Sequence, residues 1–349
     1  MKAIKRNSNI ELLRIISILL IIISHYSVHS SIVTNNLPMG FNRLLFENAV
    51  LGNIGVIIFI LITGYYLISN EKPFKLKKFL NLYLEVLFYS SIFYFIFILL
   101  GREKITVLGL LHNLIPISHA SYWFMSVYLI MYLFSFYINK FLNSLKREEH
   151  FRFILISLII LTIGLITNSL YYITELLQFI IFYSIGGYLK KYPDNKLNQI
   201  KKNYIILFIT IILLIFSTIL IDLLSKKYAV FIGLSSYYYS RNSILSILFS
   251  ISIFNIFVLR KERSNKIINY ISQYVLGVYL ISDNNYVRSV LWSDILRVPD
   301  YVYSRPFIIH MIFSVVIVFV VCLVIEFVRK NTIERLYMPL IEKICKNRE

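Results

Sequence analysis

The sequence predicts an all-α, polytopic integral membrane protein, and three observations support this fold class. The 349 residues are 58% hydrophobic with a mean hydropathy of +0.71, whereas soluble domains are about 45–50% apolar. The apolar residues form long runs, most of them close to the roughly 20 residues that a helix needs to cross the hydrocarbon core. Short loops rich in lysine and arginine separate these runs. A net charge of +18 distributed in this way indicates membrane orientation and not nucleic-acid binding.

About ten apolar runs are predicted to be transmembrane helices. Together they form a single domain over residues 1–349, with no soluble domain, internal repeat or flexible linker between them. In chain order the predicted spans cover approximately residues 10–28, 49–69, 81–100, 121–139, 153–168, 174–189, 204–222, 243–259, 270–287 and 307–327.

The distribution of positive charge predicts how these helices are oriented. If the N-terminus is cytoplasmic, 26 of the 36 lysines and arginines lie in cytoplasmic segments and 9 lie in segments on the other side. This asymmetry favours a multi-pass protein of the cytoplasmic membrane with both termini in the cytoplasm. The outer loops are rich in tyrosine, which is typical of an interfacial aromatic belt. A stacking surface for sugar rings is the alternative.

The first predicted helix contains two ionisable residues, Arg14 and His25, with ten residues between them. A charged arginine inside a membrane helix is costly, so we expect it to be functional. Eleven steps of about 100° end about 20° past three full turns, which places both side chains on one face, roughly 16 Å apart along the axis. Histidine can act as a general base near neutral pH. Alternatively, Arg14 pairs with Glu11 for a purely structural reason, and His25 bonds a loop.

Asp283 is the other ionisable residue that stands out, because the apolar stretch at 276–282 before it contains no charge. It is either functional, or it caps a helix or pairs with Arg288. The sequence contains no glycine-rich phosphate loop and no H-E-x-x-H motif. It therefore predicts neither a metal site nor a tightly bound cofactor.

Four segments, taken in order, resemble acyltransferase family 3 of bacterial integral membrane proteins. Residues 9–14 followed by His25 are similar to the R-x10-H motif of its first helix. Residues 52–68 resemble its second-helix stretch, residues 122–129 its Trp-Phe-containing helix, and residues 276–281 its late Gly-Ile-Tyr-Leu-Ile segment. The resemblance covers essentially the whole chain and implies a fold of ten spans. It adds Thr63, Tyr65 and Trp123 to the expected substrate-binding residues.

The chain departs from the family pattern at two places. Many members carry R-x-x-R after the second helix, but here Lys78 is followed three residues later by Asn81, so Lys77 or Lys78 would have to replace the missing cation. Ser282 stands where many relatives carry histidine. A second catalytic imidazole is therefore not expected there.

The resemblance implies an O-acyltransferase that uses cytosolic acyl-CoA, usually acetyl-CoA, as donor substrate. Its expected acceptor is a hydroxyl of a cell-surface polysaccharide, such as an exopolysaccharide or capsule, or of a lipid-linked precursor. Arg14, with Lys77 and Lys78, would hold the CoA phosphates. His25 would deprotonate the acceptor hydroxyl.

A polysaccharide flippase or polymerase is the alternative, since these proteins are also polytopic, basic and aromatic-rich. A transporter would more often show two matching halves with interrupted helices, and no such symmetry is visible in the sequence. A polymerase would be expected to have a long outer loop, whereas the predicted outer loops reach only about 20 residues.

Overall fold

The computed structural model of the protein describes residues 6–32, 37–117, 121–167 and 175–346. All regular secondary structure in these residues is helical. Sixteen α-helices are present in the described ranges. They are α1 (Ser8–Val28), α2 (Phe41–Asn48), α3 (Gly52–Leu67), α4 (Leu76–Leu99), α5 (Val107–Leu114), α6 (Trp123–Ser144), α7 (Arg147–Ile166), α8 (Glu175–Lys191), α9 (Ile200–Ser225), α10 (Ile244–Val258), α11 (Lys266–Ile271), α12 (Val275–Ser282), α13 (Val287–Ser289), α14 (Val298–Tyr301), α15 (Phe307–Asn331) and α16 (Ile333–Lys346).

Seven helical segments in the described ranges are long and apolar enough to cross a membrane. This confirms an all-helical protein with several membrane-spanning helices. The seven segments are Ser8–Val28, Phe41–Leu67, Leu76–Leu99, Trp123–Ser144, Arg147–Ile166, Ile200–Ser225 and Phe307–Asn331. The total of ten spans and the cytoplasmic location of both termini stay predictions.

The other three predicted spans correspond to shorter or interrupted helices. The span predicted at 174–189 is the 17-residue α8 and that at 243–259 is the 15-residue α10. Residues 168 and 174, at the edges of two predicted spans, lie outside the described residues. The span at 270–287 differs most from the prediction. It consists of the end of α11, a 3-10 turn at Ser272–Tyr274 and α12, which ends at Ser282.

The end of α12 is stabilised by Tyr122, the residue immediately before α6. The Tyr122 hydroxyl donates to the carbonyl of Leu280 at 2.9 Å and accepts from the Asn284 amide at 2.6 Å. A helix end inside an apolar bundle needs such partners for its free carbonyl groups. The polar residues Asp283 and Asn284 then favour a turn over another helical turn.

Helices α3 and α8 approach each other at two glycines. A Cβ atom on Gly64 would lie 2.1 Å from the Tyr183 carbonyl oxygen, and one on Gly186 would lie 2.2 Å from that of Leu61. Small residues that let two backbones come this close are typical of helix contacts in membranes. This contact fixes the position of α3, which forms one wall of the cavity described below.

Most of the buried charge is neutralised within two clusters. Arg43 contacts Asp222 at 2.6 Å and Glu47 at 3.1 Å, which ties α2 to α9. Arg329 contacts Glu326 at 2.7 Å. Two further carboxylates lie around Arg329, that of Glu334 at 2.8 Å and that of Glu85 at 3.7 Å.

Substitution of Gly64 by serine tests the contact between α3 and α8. The added atoms meet the backbone of α8, so we expect Gly64→Ser to lower the free energy of unfolding by about 1–3 kcal/mol. Unfolding of the purified protein in detergent measures this loss. The matched control is Gly40→Ser, because no atom lies within 4 Å of a Cβ there and serine suits the N-cap that Gly40 occupies. Equal stability of the two variants would contradict the proposed contact.

Candidate active site

One cavity of about 650 Å³ runs through the bundle and contains both Arg14 and His25 in its lining. Its volume falls within the range of about 300–1,000 Å³ that is common for small-molecule sites. Helices α1, α3, α4, α6, α12 and α15 contribute residues to the wall. Because Arg14 and His25 are eleven residues apart on one helix, they lie roughly 16 Å apart along the cavity.

The His25 end of the cavity contains two histidines and one carboxylate. His25 Nε2 lies 3.5 Å from Asp283 Oδ1, and His29 Nε2 lies 3.2 Å from the same oxygen. The two imidazole rings are 4.9 Å apart between centroids. His25 and Asp283 are buried, with 8% and 7% of their surface exposed. Arg288 approaches Asp283 Oδ1 at 3.9 Å.

Two helix ends bring these groups together. Helix α1 ends where the His29 backbone N–H donates to the His25 carbonyl, at 2.9 Å. Helix α12 ends at Ser282, and the backbone N–H of the next residue, Asp283, donates to the Tyr279 carbonyl at 3.0 Å. The C-terminal end of a helix carries partial negative charge and favours cations. Both ends therefore place partial negative charge beside the cluster.

Two polar atoms at this end have no hydrogen-bond partner in the described part of the chain. One is His25 Nδ1 and the other is the Tyr279 hydroxyl, and both are buried. The Tyr279 hydroxyl nevertheless lies close to the Asp283 carboxylate and the Phe124 backbone, without good hydrogen-bond geometry to either. Tyr279 lies one helical turn before Asp283 and lines the same cavity. Its ring packs edge-on against Phe124, with centroids 5.6 Å apart. Because buried polar atoms normally have partners, these two atoms point to a ligand that binds here.

The opposite end of the cavity is lined by four cations, namely Arg6, Arg14, Lys78 and Lys330, and by one carboxylate, that of Glu85. Glu85 also lies 3.7 Å from Arg329, which compensates its charge. Arg14 has its nearest carboxylate at Glu11, where the two charged atoms are 3.4 Å apart, and its side chain is 35% exposed. A contact of this length leaves the guanidinium able to bind an anion as well. Positive charge therefore exceeds negative charge at this end, which favours an anionic ligand.

Between the two ends the wall is largely apolar. Ile18, Ile21, Val56, Phe59 and Ile62 line this middle section. An apolar passage that joins a cationic end to an imidazole suits a ligand with a charged head and an uncharged arm.

The structure brings six of the nine predicted site residues to this cavity and places three elsewhere. The six that line it are Arg14, His25, Thr63, Lys78, Trp123 and Asp283. Glu11 contacts Arg14 from outside the cavity lining. Lys77 instead pairs with Glu342 at 2.6 Å. Tyr65 packs against Phe254 with ring centroids 5.5 Å apart.

Five residues of the site were not predicted from the sequence. His29 could have been, because it follows His25 by four residues and so shares its helix face. Tyr279 lies within the motif at 276–281 but did not stand out, because tyrosine is common in this chain. Arg288, five residues after Asp283, was considered only as a structural partner of that carboxylate. Arg6 and Lys330 have no local signal that separates them from the other cations near the helix ends, and Lys330 reaches the cavity through the packing of a helix distant in sequence.

Comparison with known proteins identifies the family. No curated protein and no solved structure gives a significant match to the chain. A family described as an acyltransferase domain matches residues 7–327 of the 349, and this range contains the R-x10-H helix, the His25–Asp283 contact and most of the cavity lining. The chain therefore belongs to the acyltransferase 3 family of membrane proteins.

Proposed function

We propose that the protein transfers an acyl group, in the first instance acetyl, from acyl-CoA to a hydroxyl of a cell-surface polysaccharide or its lipid-linked precursor. One observation supports this proposal above the others: a single cavity joins an excess of cations to a buried histidine–carboxylate pair. The family assignment establishes an acyltransferase at the coarser level and favours this function over a flippase or polymerase.

The cationic end is the binding site for the CoA phosphates. Arg14, Lys78, Lys330 and Arg6 all line this end, and charge-assisted contacts to phosphate are among the strongest polar contacts in proteins. Arg6 and Lys330 compensate for the missing second arginine of the usual R-x-x-R motif. With the N-terminus in the cytoplasm, as the lysine and arginine distribution predicts, this end opens toward the compartment that contains acyl-CoA.

His25 is the general base of the reaction. Asp283 Oδ1 lies 3.5 Å from His25 Nε2. A proton on Nε2 would face this carboxylate and leave the lone pair on Nδ1, the atom without a hydrogen-bond partner among the described residues. Nδ1 takes the proton of the acceptor hydroxyl while its oxygen attacks the thioester carbonyl carbon. The C–S bond then breaks, the CoA thiolate accepts the proton from His25, and an ester and CoA are released.

Tyr279 donates a hydrogen bond to the oxygen that becomes negative during this attack. Its hydroxyl is buried, lines the cavity and lies close to the Asp283 carboxylate and the Phe124 backbone, although it makes no well-formed hydrogen bond in the described ranges. A donor held in a dry site stabilises negative charge that develops on the reacting oxygen.

The acceptor binds at the His25 end of the cavity. Trp123 lines this region, and the Arg241 guanidinium lies 4.2 Å from its ring centroid. Aromatic rings of this kind provide a large apolar contact area for a sugar ring. The class of acceptor itself rests on the resemblance to polysaccharide-modifying relatives.

Replacement of His25 by glutamine tests the general base. We expect His25→Gln to lower kcat by about 10²–10⁴-fold, because a glutamine amide cannot accept the hydroxyl proton. The KM for acetyl-CoA should change little, since the phosphates bind at the other end. Transfer of labelled acetyl from acetyl-CoA to extracted polysaccharide is the measurement, with retained acetyl-CoA binding as the control for folding. Undiminished transfer would exclude the assigned role.

Two adjacent lysines test the donor site, because Lys78 lines the cavity and Lys77 pairs with Glu342 outside it. Lys78→Ala removes a phosphate contact, so we expect the KM for acetyl-CoA to rise by roughly tenfold, the equivalent of about 1.4 kcal/mol. Lys77→Ala removes the same charge from the chain and serves as the matched control, with KM close to that of the wild type. An equal rise in both variants would indicate a general electrostatic effect and contradict a phosphate contact at Lys78.

Removal of the Tyr279 hydroxyl tests the proposed oxyanion donor. Tyr279→Phe keeps the ring packing and should lower kcat by about 10²–10³-fold. Tyr65→Phe is the control, because Tyr65 lies outside the cavity lining, and it should leave kcat unchanged. A Tyr279→Phe enzyme with a normal kcat, or one whose loss is recovered by a change of pH, would show that the hydroxyl only adjusts the nearby Asp283.

A further inference from the structure

His29 gives the His25 end of the cavity a second imidazole that the proposed transfer reaction does not use. His25, His29 and Asp283 each offer one ligand atom, and these three atoms all lie within 4.8 Å of one another. These three atoms come from two helix ends. Histidines four residues apart on one helix face, joined by a carboxylate from another element, are a frequent arrangement of metal ligands.

The two separations from the carboxylate to the imidazoles are close to those expected on a tetrahedral metal ion. Zinc binds histidine nitrogen at about 2.0–2.1 Å and carboxylate oxygen at about 2.0–2.2 Å, so two ligand atoms on one tetrahedral ion lie about 3.3–3.5 Å apart. The observed separations from Asp283 Oδ1 are 3.5 Å to His25 and 3.2 Å to His29. The two imidazole nitrogens lie within 4.8 Å of each other and would move closer together on binding one ion.

The surroundings also favour a divalent cation. The C-terminal ends of α1 and α12, with their partial negative charge, meet at this cluster. The competing cation is Arg288, which lies 3.9 Å from Asp283 Oδ1. Its side chain is 39% exposed, so it can turn toward solvent when a metal ion binds.

Coordination requires each imidazole to bind through Nε2 with its proton on Nδ1. His25 Nδ1 has no hydrogen-bond partner among the described residues, so moving the proton to this atom breaks no hydrogen bond there. Imidazole and carboxylate ligands together suit zinc better than magnesium or calcium, which prefer all-oxygen sites.

We infer that His25, His29 and Asp283 form a binding site for a divalent transition metal, with Zn²⁺ favoured by the ligand set, and that metal binding inhibits acyl transfer. Three protein ligands leave a fourth position open toward the cavity, where a water molecule completes the tetrahedron. Inhibition follows because the metal holds the imidazole of His25 in the wrong tautomer for a base. This second half of the inference rests on the proposed function, whereas metal binding does not.

Titration of the purified full-length protein in detergent with Co²⁺ tests the site directly, because tetrahedral Co²⁺ has intense visible absorption bands. We expect one equivalent to bind the wild type and Zn²⁺ to displace it. His29→Gln removes one ligand and should weaken binding by at least about tenfold. His310→Gln, which removes an imidazole outside the cluster, is the matched control and should bind as the wild type does. Failure of the wild type to bind, or equal binding by His29→Gln, would overturn the site.

Acetyl transfer measured in the same preparations tests the inhibitory role. Zn²⁺ should abolish wild-type transfer and a chelator should restore it, while the remaining activity of His29→Gln should withstand at least about tenfold more Zn²⁺. If Co²⁺ binds as expected but no metal-free preparation transfers acetyl, the proposed function fails and the metal site stands. If transfer occurs and Zn²⁺ binds without slowing it, the inhibitory role is wrong.

Discussion

An isolated charge at the centre of a membrane-spanning helix costs about 2.5–3.5 kcal/mol by insertion scales, and the arrangement of polar groups in this bundle follows from that cost. Arg43 and Arg329 are each surrounded by carboxylates and do not themselves line the cavity. Among the described residues, Arg14 has one carboxylate at ion-pair distance, that of Glu11 at 3.4 Å. The ionisable groups that are not fully neutralised therefore collect along one cavity, where water or a charged ligand can compensate them.

The break in the span predicted at 270–287 also determines where a buried charge lies. In an uninterrupted helix over 270–287, the helix period alone would set the direction of the Asp283 carboxylate. The carboxylate would then be buried against whichever neighbour that face of the helix contacts. The chain ends α12 at Ser282 instead, and Tyr122 takes up the Leu280 carbonyl that this break exposes. The break places Asp283 against the end of α1, within reach of both histidines. Interrupted helices whose ends face a binding site recur in membrane transporters for the same reason.

Hydropathy, charge counts and helix periodicity predict a substantial part of this arrangement. They give the long apolar helices and place Arg14 and His25 on one face of the first helix. They also single out Asp283 as a charge after an apolar run. They do not show whether Lys77 or Lys78 faces the cavity, because adjacent residues on a helix point about 100° apart and the packing partner decides between them. The position of Lys330 could not be predicted in this way, because it reaches the cationic end of the cavity only through the packing of α15.

The spacing of Arg14 and His25 along α1 relates the cationic end of the cavity to its histidine end. One inserted residue between them would rotate the imidazole by about 100° and take it out of the cavity that contains the guanidinium. One helical turn added would keep the face but lengthen the span by about 5.4 Å. The interval therefore sets both the direction and the distance from the cationic end to the base, independently of side-chain flexibility in the apolar section between. In a transferase whose donor has a charged head and a distant reactive carbonyl, a rigid helix that fixes this interval supplies part of the orientation on which the reaction rate depends.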